Sequence, residues 1–261
     1  MNMPISIHLR GAGLASPEVE RAVAEVFADL RRVEGLFSTF RPDSQVSAIN
    51  RGQARPGDCH PLVAEVIELC GQARERTDGY FDAYLPRPGG SRWFNPAGLV
   101  KGWAAERAAG WLRALPRRGF CLNAGGDIVV GGSGPREGEP WTIGIEDPLD
   151  TGHLVATVSV PGGAVATSGG THRGGHIVVP STGVPAGELL TATVTGPSLM
   201  WADVFATAAV ARGAGALRWL TRLPGYAGMV VRPGGAALVT PGWPAGASTA
   251  LARPPDDERR R

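Results

Sequence analysis

Lysine is almost missing from this chain of 261 residues: of its 26 basic residues, all but Lys101 are arginine. GC-rich coding drifts lysine to arginine wherever either will do, so the bias alone reads as base composition. A lysine that survives such drift marks a place where a compact ammonium matters, because the two side chains are not interchangeable. Cysteine is scarce too. Cys59, Cys70 and Cys121 are odd in number and lack metal-site spacing, which excludes a disulfide framework and reads as reduced, buried thiols of a cytosolic protein. Charge of one sign is not in excess either. The net charge is +2 and the arginines are scattered, which excludes nucleic acid as a partner. No run reaches the roughly 18–20 apolar residues of a membrane span, so no membrane insertion is expected. Met1 to Gly11 carry no charged segment followed by an apolar one, so no secretory signal is read and the expected compartment is the cytoplasm. No strand leads into a GxGxxG turn or a P-loop, and the usual nucleotide folds are not indicated.

What is present is apolar material and turns. Hydrophobic residues make up 43 % of the chain, with 38 Gly and 22 Pro, just under the roughly 25–30 % glycine plus proline that marks disorder. Ile5, Ile7 and Leu9 alternate within Met3–Arg10, as in a half-buried strand. Ser16-Pro17 offers a helix start, and Val19, Val23, Val26, Phe27, Leu30 and Val33 predict a helix to about Val33. A second helix follows Pro61, with Val63, Val66, Ile67 and Cys70 inward, and a third runs from about Gly98 to Leu115. Short β-rich runs then predict strands at Phe120–Leu122, Ile128–Val130, Trp141–Ile145, Leu154–Val160, His176–Val179 and Leu190–Thr195. A helical pattern returns over Met200–Leu220, and strands near Met229–Val231 and Ala236–Val239 close the fold. Helices followed by hairpin-like strands argue α+β with antiparallel sheet. One domain is expected over residues 1–252, with a charged, disordered tail at 253–261.

Four segments carry candidate chemistry. Asp203 and Thr207 are four apart on a helical pattern and share a face; a carboxylate and a hydroxyl one turn apart offer two hard oxygens, suited to Mg²⁺ or Ca²⁺ better than zinc. The alternative is a local cap with a half-buried filler. Asn95 to Gly102 reads as a glycine turn opening a helix, where N–H groups and Lys101 in the first turn suit phosphate; the alternative is an ordinary loop-to-helix junction. Thr167-Ser168-Gly169 leads to His176 and the apolar run after it, where a histidine is either structural or catalytic and the glycines Gly169, Gly170, Gly174 and Gly175 either admit a ligand or make turns. Asn123, Gly125 and Asp127 mark a strand–turn–strand whose polar residues line a pocket or simply make the turn.

Taken in order, these segments resemble the ApbE family of FAD:protein FMN transferases. The likeness runs from Phe37 to about Trp243 and includes Ser38–Asn50, Gly79–Asp82, the glycine turn with Lys101, Asn123–Asp127, Trp141–Pro148, Thr167–Gly169, His176–Gly183 and Ala202–Thr207. The resemblance implies an ApbE-like, T-fold-related α+β chain with mixed or antiparallel sheets and packed helices. It implies an enzyme that takes FAD as substrate with Mg²⁺ and moves FMN to a Ser or Thr hydroxyl of an acceptor protein, releasing AMP. Carried over by position, Asp203, Thr207 and the carbonyl of Gly98 would hold the metal, His176 would be the general base, and Lys101 would lie at the phosphates or the flavin ring. Ser44, Ser47, Asn50, Phe81, Asp82, Asn123, Gly125, Asp127, Thr167, Ser168 and His176 would be near the nucleotide. The chain departs from the family at Asn95 and Val179, where Asp is usual, and at Ala83-Tyr84, where Pro-Thr is common. Two further readings stand beside transfer: an FAD pyrophosphatase with water as nucleophile, and a flavin-binding module without chemistry.

Overall fold

The computed structural model of the chain describes residues 3–86, 92–132, 139–170 and 177–249. His176, Gly174, Gly175 and the tail at 253–261 lie outside these. The chain opens with β1 (Ile5–Arg10) and enters α1 (Pro17–Phe37) through Ser16-Pro17. The stripe of Val19, Ala22, Val26, Leu30, Val33 and Phe37 is buried. The helix runs a turn beyond the predicted end because Phe37 continues that stripe, its ring meeting Trp103 edge-on at 5.7 Å. A short α2 (Gln45–Asn50), which periodicity did not predict, is started by Ser44 as N-cap, accepting from Ser47 N. It is too short to show a helical repeat. Next come α3 (Pro61–Arg76), which buries Val63, Val66 and Cys70 with Ile67 half-buried, a small hairpin of β2 (Tyr84–Pro86) and β3 (Arg92–Phe94), and α4 (Ala97–Arg113).

Six strands follow: β4 (Gly119–Ala124), β5 (Asp127–Gly131), β6 (Trp141–Asp147), β7 (Asp150–Val160), β8 (Gly163–Gly169) and β9 (Thr191–Gly196). After them come α5 (Leu199–Arg212), α6 (Ala216–Leu220), β10 (Ala227–Val231), β11 (Ala237–Val239) and β12 (Ala245–Thr249). The predicted helix over Met200–Leu220 is in fact broken. Gly213 adopts φ 65° and ends α5, a backbone state that glycine enters without steric cost. The predicted strand at His176–Val179 is not one either. Within its described part only Val178 bridges, to Pro185, and Val179 turns back with its N–H on the Val184 carbonyl at 2.8 Å. Pro180 and Pro185 lack the N–H groups a ladder needs.

A seven-stranded sheet runs β1-β4-β5-β8-β9-β10-β11, every neighbouring pair antiparallel, and a second sheet runs β12-β7-β6. Alternation along each central strand sorts side chains to two faces. Leu122, Val129, Ala166, Ala192 and Val194 join the core beneath α1, α4 and α5. Cys121, Val130, Val165, Met229 and Val231 meet Trp141, Ile143, Ile145 and Val158 of the smaller sheet. The large sheet is therefore the middle of three layers. Cys70 and Cys121 are buried and Cys59 is half-buried instead of buried. Burial pushes the Cys70 thiol up to about 12 and the Cys121 thiol up to about 11, so both act as packing groups. Among the described residues no helix is long and apolar enough to cross a membrane.

Candidate active site

The site begins where α4 starts. Asn95 Oδ1 accepts from Ala97 N at 3.2 Å. Gly98 packs on the Phe81 ring, whose Cε2 would lie 3.2 Å from an added Cβ. At Gly102 the helix crosses α5 so closely that a Cβ would meet the Leu199 carbonyl oxygen at 2.9 Å and Asp203 Cβ at 3.1 Å. This approach brings Asp203 beside Lys101. The lysine is in the second turn of α4, not the first, and its ammonium points at carboxylates. It is in direct contact with Asp127 Oδ2 and 3.5 Å from Asp203 Oδ1.

Both carboxylates are 1 % exposed. Asp127 opens β5, and its Oδ1 accepts from Thr167 N at 3.2 Å. Asp203 Oδ2 is buried with no hydrogen-bond partner. Burial pushes the Asp203 carboxyl up to about 8, and the nearby Asp127 charge pushes the same way, with Lys101 opposing. One turn along α5, Thr207 Oγ1 is 2.9 Å from Ser168 Oγ, and Thr167 Oγ1 is 2.9 Å from Thr193 Oγ1 on the next strand. Two carboxylates thus face one ammonium, with a hydroxyl pair one helical turn away. Among the described residues no group of three or more His, Cys, Asp and Glu side chains is assembled.

Lys101 lines two cavities. One, of about 580 Å³, is walled by Val33, Phe37, Phe40, Arg41 and Val100. The other, of about 270 Å³, is walled by Asn123, Gly125, Gly144, Glu146, Thr167 and Ser168. Asn123 and Gly125 both make the turn and line this cavity: Asn123 Oδ1 accepts from Gly126 N at 2.8 Å, and Gly125 has φ 63°. Phe40 is 96 % exposed at the first cavity. Sequence reading passed over it, although a bare aromatic amid the polar residues Ser38–Asp43 was a usable signal.

Other predicted residues have their polar groups engaged within the chain. Ser44 Oγ donates to the Ser38 carbonyl at 2.6 Å and Ser47 Oγ to the same oxygen at 3.4 Å. Asn50 spans to β3, donating to the Phe94 carbonyl at 2.8 Å and accepting from Phe94 N at 2.9 Å. Asp82 pairs with Arg92 at 2.6 Å and Arg74 at 3.3 Å. Phe81 is buried against Gly98. These residues shape the loops in front of α4.

The model of the ApbE family matches residues 1–88 and 85–230. The chain belongs to the ApbE family. It is 35 % identical over 227 residues to a FAD:protein FMN transferase of Rhodobacter capsulatus, covering 80 % of this chain and 42 % of that one. It is 33 % identical over 125 residues to one of Vibrio cholerae, covering 44 % and 37 %. The matched stretch therefore spans less than half the length of these two relatives. The fold is that of a flavin transferase ApbE from Vibrio cholerae, with TM-score 0.77 at 21 % identity over 92 % of this chain and 94 % of the other. The α+β architecture expected of an ApbE member is the one observed.

Proposed function

We propose that this ApbE member transfers the FMN half of FAD to a Ser or Thr hydroxyl of an acceptor protein and releases AMP. The observation that carries the reading is the buried Asp203 oxygen without a hydrogen-bond partner, one helical turn from Thr207 and beside Lys101, the residue that lines both cavities. The relatives' names, FAD:protein FMN transferase, support the FMN-transfer part of this reading.

The donors fit a divalent metal. Asp203 and Thr207 supply hard oxygens of the kind Mg²⁺ and Ca²⁺ take, and one Asp203 oxygen is buried without a hydrogen-bond partner. Asp203 and Thr207, with the Gly98 carbonyl, would hold it. A divalent cation there supplies neutralisation of pyrophosphate charge. The chain's own groups do the rest. The apolar cavity with Phe37 and Phe40 takes a flat ring, and Lys101, on the wall shared by both cavities, meets the pyrophosphate. Asn123, Gly125 and Ser168 border the second cavity; Thr167 and Asp127 fix the β5–β8 wall. His176 is the base that takes the acceptor hydroxyl's proton. A new P–O bond forms to the acceptor oxygen, the P–O bond to the AMP half breaks, and AMP leaves with its phosphate. Ser44, Ser47, Asn50, Phe81 and Asp82 hold the loops that close over the nucleotide.

Incubation of the protein with FAD, Mg²⁺ and a candidate acceptor tests this by intact mass and chromatography. An acceptor heavier by one FMN-phosphoryl group, with matching AMP, is the expected result. AMP without a modified acceptor assigns water as nucleophile, and no AMP at all leaves a flavin binder; either overturns transfer.

A further inference from the structure

Lys101 stands between two buried carboxylates, and one ammonium cannot neutralise both. The two acids hold it unequally: Asp127 is in contact, and Asp203 is 3.5 Å away. Asp127 follows the Gly125-Gly126 turn at the first position of β5, and its second oxygen is tied to Thr167 N of β8. The lysine ammonium is the mobile partner, at the end of a four-carbon stem. Whichever carboxylate holds it more firmly decides where the charge sits.

We propose that Asp127 is a positioning residue: it draws the Lys101 ammonium to the strand side of the site and so keeps Asp203 open to a divalent cation. The inference rests on the metal role proposed above for Asp203 and Thr207. Without Asp127 the nearest buried anion for Lys101 is Asp203. The ammonium then closes onto it, and an internal ion pair competes with the metal for the same oxygens.

Binding of Mn²⁺, followed as loss of the free-ion resonance signal, tests this without turnover. Asp127→Asn weakens Mn²⁺ affinity by about tenfold or more, in the range seen when a ligand's supporting group is lost. Lys101→Gln in the parent changes it by less than about threefold, and the same change in the Asp127→Asn background restores most of the loss, a coupling that a double-mutant cycle isolates. Equal effects of Lys101→Gln in both backgrounds mean two independent charges and overturn the inference. Failure of Lys101→Gln to rescue makes Asp127 a ligand or a structural residue and overturns it as well. A parent protein that binds no Mn²⁺ overturns the metal reading itself and the inference with it.

If Asp127→Asn fails to fold, the unmutated protein still decides the matter. Because Lys101 is the sole lysine, ζ-¹⁵N-lysine labelling reports its ammonium as one resonance. Under the proposal, Mg²⁺ leaves that resonance protected from solvent exchange. An ammonium that becomes freely exchanging when Mg²⁺ is added was never held by Asp127, and the inference falls.

Discussion

Two polar regions meet at the entrance of α4, and they spend their hydrogen bonds differently. In the loops before the helix, Ser44, Ser47 and Asn50 are matched to backbone groups of Ser38 and Phe94. Where α4, α5 and β5 meet, Asp127 and Asp203 share one lysine, and an Asp203 oxygen has no hydrogen-bond partner. A buried polar group without a partner costs about 1–3 kcal/mol, more if charged. A fold carries that cost where something else is to bind. Under the proposed metal role, the deficit at Asp203 is the seat of the cation and the satisfied loops are its scaffold.

Substitutions on the two sides should therefore fail in different ways. Asp203→Ala gives the largest effect, a loss of AMP release beyond about 100-fold, since losing even a supporting partner of a metal ligand costs about 10–100-fold. Its thermal melt without metal is not lowered, and a lowered melt would make Asp203 scaffold. Asn50→Ala should show the converse. Two hydrogen bonds to the Phe94 backbone go, at about 2–3 kcal/mol, and Tm drops by roughly 2–4 °C per kcal/mol. FAD affinity of the folded protein stays close to the parent's; a selective loss of affinity would move Asn50 into the site.

The pH dependence of stability sharpens the contrast. The Asp203 carboxyl rises on folding from 3.8 to about 8. Such a group contributes its stability fully below the unfolded value and loses it as pH climbs through the folded value. The metal-free protein should thus weaken between about pH 4 and pH 8. Asp203→Asn removes the effect: its melt exceeds the parent's at pH 8, matches it near pH 4, and no longer rises with Mg²⁺. A parent melt flat across that window would show the carboxyl to be ionised throughout. The smallest effect is expected at Phe40. Its ring is 96 % exposed, so Phe40→Ala leaves stability within about 0.5 kcal/mol. Loss of one stacked ring, worth about 0.5–1.5 kcal/mol, weakens FAD binding by roughly 2–13-fold in a fluorescence titration.

Local pattern carried far in the fold. The α1 stripe, the strand runs of the large sheet and the α+β class were legible because their side chains repeat at 3–4 or 2 residues. Pattern failed where geometry was set by one residue or by a distant partner. Gly213 ends α5 inside a continuous helical texture, and prolines empty the Val178–Pro185 region of a ladder. β8, rich in Ala and Gly, carries no strong strand signal and is held by pairing on both sides. β12 exists through its pairing with β7.

The scarcity of lysine drew attention to Lys101, and helix spacing put Asp203 and Thr207 on one face. Those are properties of chemistry and of a single helix, and the sequence determines them by itself. That Lys101 meets both Asp127 and Asp203 was not legible in it, because the three come from α4, β5 and α5. Only the close crossing of two helices at Gly102 and the β5–β8 pairing bring them within reach. Burial then makes the arrangement consequential: with water excluded, charges that a solvated chain would ignore have to answer to one another.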